Sequence, residues 1–198
     1  MPSTGTKPRT AIFGGTFAPP HPGHLNLFHE VAVLTPIERL IVIPAYLSNF
    51  KRGTSPVSFG DRFRMLELLV EDYWKEYPDD GLDIRLSRYE GEREGVSYSS
   101  ETCRHFLKEF SYDGKLDFII GDDQLAKLGE WHDFPYLSKH VRFWCFQRSG
   151  GVNLTGAEVV MVPSSIVKVS STGIRAGDFS SLTPSVRKYI DEKKLYRA

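Results

Sequence analysis

Two histidines three residues apart, His21 and His24, follow a glycine pair in Gly14-Gly15-Thr16-Phe17-Ala18-Pro19-Pro20-His21-Pro22-Gly23-His24-Leu25. Imidazoles placed this way can offer N–H groups to phosphoryl oxygens and answer the charge that develops there. Gly14 and Gly15 let the backbone turn tightly and approach a ligand, and Thr16 adds a hydroxyl or backbone donor. Pro19, Pro20 and Pro22 stiffen the loop. A helix is expected to begin near Gly23, whose missing side chain leaves room for a ligand. The free N–H groups of that helix start would favour an anion. A His-x-x-His pair can also serve a metal, but the string supplies no third ligand.

Far downstream, Ser170-Ser171-Thr172-Gly173-Ile174-Arg175 has the make-up of a second phosphate site. Its hydroxyls can cap a helix or bind phosphate. Arg175, one turn on, can fork onto phosphate oxygens.

Elements that could bring these segments together are legible as alternating patterns. Apolar, β-rich runs lie at 10–14, 40–44, 82–86, 116–121, 141–147 and 158–162. Between them, Phe59, Phe63, Leu66, Val70 and Tyr73 fall on one face of a helix, as do Cys103, Phe106, Leu107 and Phe110. Leu25, Phe28 and Val31 mark a shorter apolar side, and Pro184 opens a last helix. Residues 53–56, 78–81 and 90–95 read as polar loops, none long enough to link domains. Such alternation predicts an α/β fold: a doubly wound, mostly parallel sheet with helices on both faces, in one domain spanning 1–198. Ligands then bind beyond the carboxyl ends of the strands, where the strand order reverses.

Composition narrows the function classes. The 198 residues are 40% hydrophobic and 25% charged, as in ordinary globular proteins. With 25 basic and 25 acidic residues the net charge is zero, which argues against nucleic acid or an anionic membrane as the main partner. The apolar run 40–47 is interrupted by Pro44 and too short to span a bilayer. The polar start suggests no secretory signal, so a cytoplasmic location is expected. Cys103 and Cys145, at no metal-binding spacing, read as reduced, buried thiols. The sequon Asn153-Leu154-Thr155 carries no weight in a chain without an export signal.

The first string resembles the Gly-Gly-Thr-Phe-Asp-Pro-x-His-x-Gly-His signature of the nucleotidylyltransferases, and most closely that of bacterial nicotinate mononucleotide adenylyltransferases. The resemblance implies a Rossmann-like fold and transfer of an adenylyl group from ATP, with release of pyrophosphate. It assigns His21, His24 and Arg175 to catalysis. It assigns Gly14, Gly15, Thr16, Phe17, Gly23, Lys51, Asp123, Ser171 and Thr172 to ATP. Asp123 lies in Ile119-Ile120-Gly121-Asp122-Asp123-Gln124-Leu125, which is similar to the family's Gly-x-Asp segment and would meet the ribose. Read without the family, Asp123 is equally a helix-capping acid. Ser99, Trp131 and Arg148 fall at positions implied to bind the mononucleotide. An indole suits an electron-poor pyridinium ring, although Trp131 reads equally as a tryptophan packed on the core. The implied partners are ATP and a pyridine mononucleotide. The implied cofactor is Mg2+ arriving with ATP, with no dedicated protein metal site.

Departures from the family pattern matter. Ala18 stands where the family usually has aspartate, which removes either a loop hydrogen bond or a ligand contact. Ser48-Asn49-Phe50-Lys51 replaces a usual Pro-Pro-His-Lys, and the stretch between Arg175 and Pro184 is short. Nicotinamide mononucleotide or phosphopantetheine remain alternative acceptors, and a non-catalytic nucleotide-binding relative remains an alternative class. An ordinary dehydrogenase would need Gly-x-Gly-x-x-Gly, which Gly14-Gly15-Thr16-Phe17 does not supply.

Overall fold

The computed structural model describes residues 7–48, 57–147, 155–165 and 169–196. The elements, in chain order, are β1 (Thr10–Gly15), α1 (Pro22–Leu34), β2 (Arg39–Pro44), β3 (Leu47–Ser48), α2 (Phe59–Glu76), β4 (Asp83–Leu86), α3 (Tyr89–Arg93), β5 (Val96–Ser97), α4 (Ser99–Phe110), β6 (Leu116–Gly121), α5 (Asp122–Leu125), α6 (Phe134–His140), β7 (Val141–Gln147), β8 (Glu158–Pro163), α7 (Ser171–Arg175) and α8 (Pro184–Lys193). The main sheet has six strands in the order β4-β2-β1-β6-β7-β8. Every neighbouring pair in it is parallel, so the expected mostly parallel sheet is parallel throughout. The strand order reverses between β1 and β6, and the crevice beyond their carboxyl ends is where such a sheet receives ligands.

Strands covered on both faces must be apolar on both. In β1, Ala11 and Phe13 point to one layer and Ile12 to the other. The first layer packs under α1, α2 and α8 through Phe28, Leu66, Leu69, Val186 and Ile190. The second packs under α4 and α6 through Cys103, Phe106 and Leu137. Both cysteines are free and buried, as read from the sequence. Burial pushes the Cys145 thiol up to about 11, which suits a packing role rather than a reactive one.

At the amino-terminal end of the sheet, away from the crevice, fully buried Asp117 ties three elements together. It accepts from Arg9 Nε at 2.7 Å, Trp144 Nε1 at 2.8 Å and Arg142 Nη1 at 3.3 Å.

Two local readings change. Residues 90–95 are not simply loop: α3 covers Tyr89–Arg93 and buries Glu90. Gly91 makes that helix fit, since a Cβ there would lie 2.2 Å from the Phe59 ring. The short parallel pair β3–β5, beside the crevice, carries too few residues to show a strand period. Loop 78–81 stands as read, and 53–56 lies outside the described residues.

Candidate active site

Beyond β1 the chain reverses over its own glycine. A Cβ on Gly15 would lie 2.9 Å from the Phe17 ring, so only glycine accepts this fold-back. Phe17 adopts φ 48°, a conformation costly for a bulky residue. Its ring packs edge-on to Phe13 at 5.4 Å and tilted against His24 at 4.9 Å.

The histidines organise each other. His21 is the N-cap of α1, and its Nδ1 accepts from Gly23 N–H at 3.2 Å. His24 Nδ1 accepts from His21 N–H at 3.1 Å, completing a reciprocal capping box built from imidazoles. The rings pack against each other, tilted by 30° with centroids 3.9 Å apart. Because each Nδ1 accepts from a backbone N–H, the neutral ring's proton resides on Nε2. Both histidines are thereby preset as Nε2–H donors.

This arrangement corrects two expectations. The helix-start N–H groups are already used: Gly23 N–H by His21, and His24 N–H by the His21 carbonyl at 2.8 Å. These two amides of the α1 start are therefore not free to meet a ligand. The space beside Gly23 is filled by the His21 ring, 3.0 Å from where a Cβ would sit. That glycine makes room for an imidazole of the chain itself.

The two distant phosphate-site strings do meet. Ser171 Oγ donates to the Pro19 carbonyl at 2.9 Å, and Arg175 Nη1 donates to the Ala18 carbonyl at 2.6 Å. Arg175 Nη2 donates to Thr172 Oγ1 at 3.1 Å, so Arg175 acts first as a staple between α7 and the β1–α1 loop. The Ala18 carbonyl carries this contact, and no side chain is needed for it. The cap of α7 is Ser170, which accepts from Gly173 N–H at 3.1 Å and leaves Ser171 turned to the loop.

Two further clamps hold the site, and neither is evident in the sequence. Arg62, only 1% exposed, reaches from α2 to donate to the carbonyls of Thr16 at 2.8 Å, Ala45 at 2.7 Å and Tyr46 at 3.1 Å. It binds the glycine loop to the end of β2. The only sequence signal is an arginine on the apolar face of α2, between Phe59 and Leu66. On α1, Glu30 accepts from Ser164 Oγ at 2.6 Å and from Ser165 N–H and Oγ at 2.7 Å each, holding the chain that leads to α7.

Burial alone would raise the Glu30 carboxyl, but the serine donors outweigh it and hold the group below its ordinary 4.5. Its stabilising contribution is therefore complete above pH 4.5 and is lost as pH falls through the lowered value. The stability advantage of the native protein over Glu30→Gln, measured by urea unfolding, should be constant near neutrality and shrink in acid. An advantage that grows in acid would contradict this clamp.

The crevice is a cavity of about 480 Å3. Gly14, Gly15, Thr16, Phe17, His24 and Ser171 line it, as do Asp123, Ser99 and Trp131. His21, Gly23, Thr172 and Arg175 are not among its lining residues and join the wall only through the contacts above. Lys51 and Arg148 lie outside the described residues. Asp122 Oδ1 accepts from Asp123 N–H at 3.0 Å, so the local acid-to-amide contact belongs to Asp122 while Asp123 serves the wall. Trp131 is held edge-on between Phe118 and Phe143, at 6.0 and 6.1 Å. It is both a core residue and a cavity wall. The same wall carries Glu90 and Lys127, which no pattern in the sequence singled out.

Comparison with known proteins places this geometry in context. A family model described as cytidylyltransferase-like matches residues 12–177. A probable nicotinate-nucleotide adenylyltransferase from Sulfurovum is 32% identical over 96% of this chain and 97% of its own length. A relative of the same description from Geobacillus kaustophilus is 34% identical over 96% of this chain and 87% of its own. Among solved structures, nicotinic acid mononucleotide adenylyltransferase of Plasmodium falciparum, complexed with NaAD, superposes with a TM-score of 0.75. It covers 96% of this chain and 98% of that one at 17% identity, a likeness of fold.

Proposed function

The chain belongs to the cytidylyltransferase-like family, with nicotinate-nucleotide adenylyltransferases among its relatives, and on that premise we propose that it transfers AMP from ATP to nicotinate mononucleotide. The products are deamido-NAD and pyrophosphate, a step of NAD biosynthesis, and the proposed location is the cytoplasm. The observation that carries the reading is one cavity walled by the glycine loop, His24 and Ser171 together with Asp123, Ser99 and Trp131. It supports a triphosphate on the first set of groups and a nucleoside and pyridine ring on the second.

The phosphate of the mononucleotide attacks the α-phosphorus of ATP in line. A phosphate monoester is already largely dianionic at about pH 7, so the chain needs no general base. Its task is positioning and charge neutralisation. His24 donates from Nε2 to the α-phosphate, and His21, packed against it, fixes the ring and adds the second N–H. Gly14, Gly15, Phe17 and Gly23 shape the loop around the phosphates, and Thr16 adds a donor. Ser171, Thr172 and Arg175 receive the departing pyrophosphate, with Lys51 as a further cation. Asp123 meets the adenosine ribose, while Ser99, Trp131 and Arg148 meet the mononucleotide. Hydroxyls of Thr16 and Ser171 and the Asp123 carboxylate on the wall suit a hard cation that keeps most of its water. Mg2+ bound to ATP would supply neutralisation of the triphosphate charge.

Pyrophosphate release with ATP and a panel of acceptors tests the reading. Nicotinate mononucleotide should be used best, ahead of nicotinamide mononucleotide and phosphopantetheine. ATP binding with no release for any acceptor would make the chain a non-catalytic relative.

A further inference from the structure

Glu90 is the one acidic wall residue of the cavity that is nearly fully buried, 8% exposed. Its Oε1 accepts from Thr102 Oγ1 at 2.6 Å, and Ser97 is its second hydroxyl partner. Neither partner carries charge. Of the neighbouring arginines, Arg88 lies over the Phe63 ring at 3.8 Å, and Arg93 is held by Glu101 at 2.7 Å and acts on Glu90 only at a distance. Lys127 lines the same cavity, and among the described residues neither it nor an arginine forms an ion pair with Glu90. Burying a carboxyl without a cation is costly, and a purely structural wall position would be served as well by an uncharged residue. On the same cavity stands Trp131, whose indole face also attracts cations. Burial holds the Glu90 carboxyl above its ordinary value, which the Thr102 and Ser97 hydroxyls only partly offset, so a cation brought beside it would favour its ionised form.

We infer that Glu90 is the specificity-determining counter-charge for the acceptor ring, selecting a pyridine mononucleotide whose ring nitrogen bears a formal positive charge. The inference rests on the adenylyl-transfer reading and adds to it the electrostatic character of the acceptor pocket. The oxidised ring places its positive charge between an anion and a π face. The dihydropyridine ring, of nearly the same shape but uncharged, gains nothing from Glu90.

The test is steady-state kinetics of the native enzyme and Glu90→Gln with ATP, using nicotinate mononucleotide, nicotinamide mononucleotide and reduced nicotinamide mononucleotide. Glutamine keeps the shape and the oxygen that Thr102 donates to. The variant should raise KM for both oxidised acceptors roughly tenfold, while KM for ATP and for the reduced acceptor moves by less than about twofold. Glu90→Asp should keep much of the oxidised-over-reduced preference. Equal use of oxidised and reduced rings by the native enzyme overturns the inference whether or not Glu90→Gln folds. So does a variant whose KM values all rise together with a fallen kcat, which would mark a structural role. A native enzyme active on the panel, with Glu90→Gln unchanged, overturns this inference alone. A native enzyme inactive on every acceptor overturns the adenylyl-transfer reading and this assignment with it.

Discussion

His24→Ala should lower kcat by about 100- to 1,000-fold, the cost of losing one preorganised donor to a charge that grows in the transition state. The expectation rests on how the ring is held. His24 Nδ1 is committed to the His21 N–H at 3.1 Å, and its ring packs against those of Phe17 and His21. The ring's orientation is therefore set before substrate binds, which is what a preorganised donor requires. The same substitution removes half of a helix cap, worth roughly 1 kcal/mol, so Tm should fall by only about 2–4 °C. Stopped-assay turnover at saturating ATP and acceptor, paired with a melting curve, separates the two effects. Near-normal turnover would remove His24 from the mechanism.

Arg62→Met should act on fold and site together. Methionine fills much of the space but abandons the carbonyls of Thr16, Ala45 and Tyr46. Each acceptor left unsatisfied in a buried setting costs about 1–3 kcal/mol, less where water can enter. A total near 3 kcal/mol would lower Tm by about 6–12 °C. The glycine loop, no longer tied to β2, would lose its fixed distance to the triphosphate. A displacement of about 1 Å in a positioned group is enough to cost roughly 100-fold in kcat/KM. Arg62→Lys keeps a charge and a single donor without the planar fork, and should fall between native and methionine. An Arg62→Met protein with native kcat/KM would show that the clamp does not position the loop.

What the sequence revealed, and what it hid, follows from the range of the interactions involved. Strands such as 116–121 and 141–147 are legible because burial on both faces demands a mostly apolar run, broken near each start by Asp117 and Arg142, and the structure reproduces both spans. The helix opening at Pro184 is legible because proline suits the first turn. Glu90 was hidden in a charged stretch that looks like loop. Its helix depends on a glycine-to-ring contact with Phe59, some thirty residues away in sequence. Arg62 was hidden because an arginine on an apolar helix face has no local partner. Its partners are backbone carbonyls of two other segments, and carbonyls leave no mark on a sequence. The helix-start amides were misread for a related reason: the residues expected to share an anion with them, His21 and His24, satisfy them instead. At Ala18, where the family usually has aspartate, Arg175 binds the backbone oxygen, a contact no side chain could announce.

The most direct measurement is a crystal structure of the protein soaked with deamido-NAD. The diphosphate should lie within about 2.7–3.2 Å of His24 Nε2, with the pyridine ring against Trp131 beside Glu90. A dinucleotide bound away from His24, or a ring on the opposite side of the cavity from Trp131, would contradict the account.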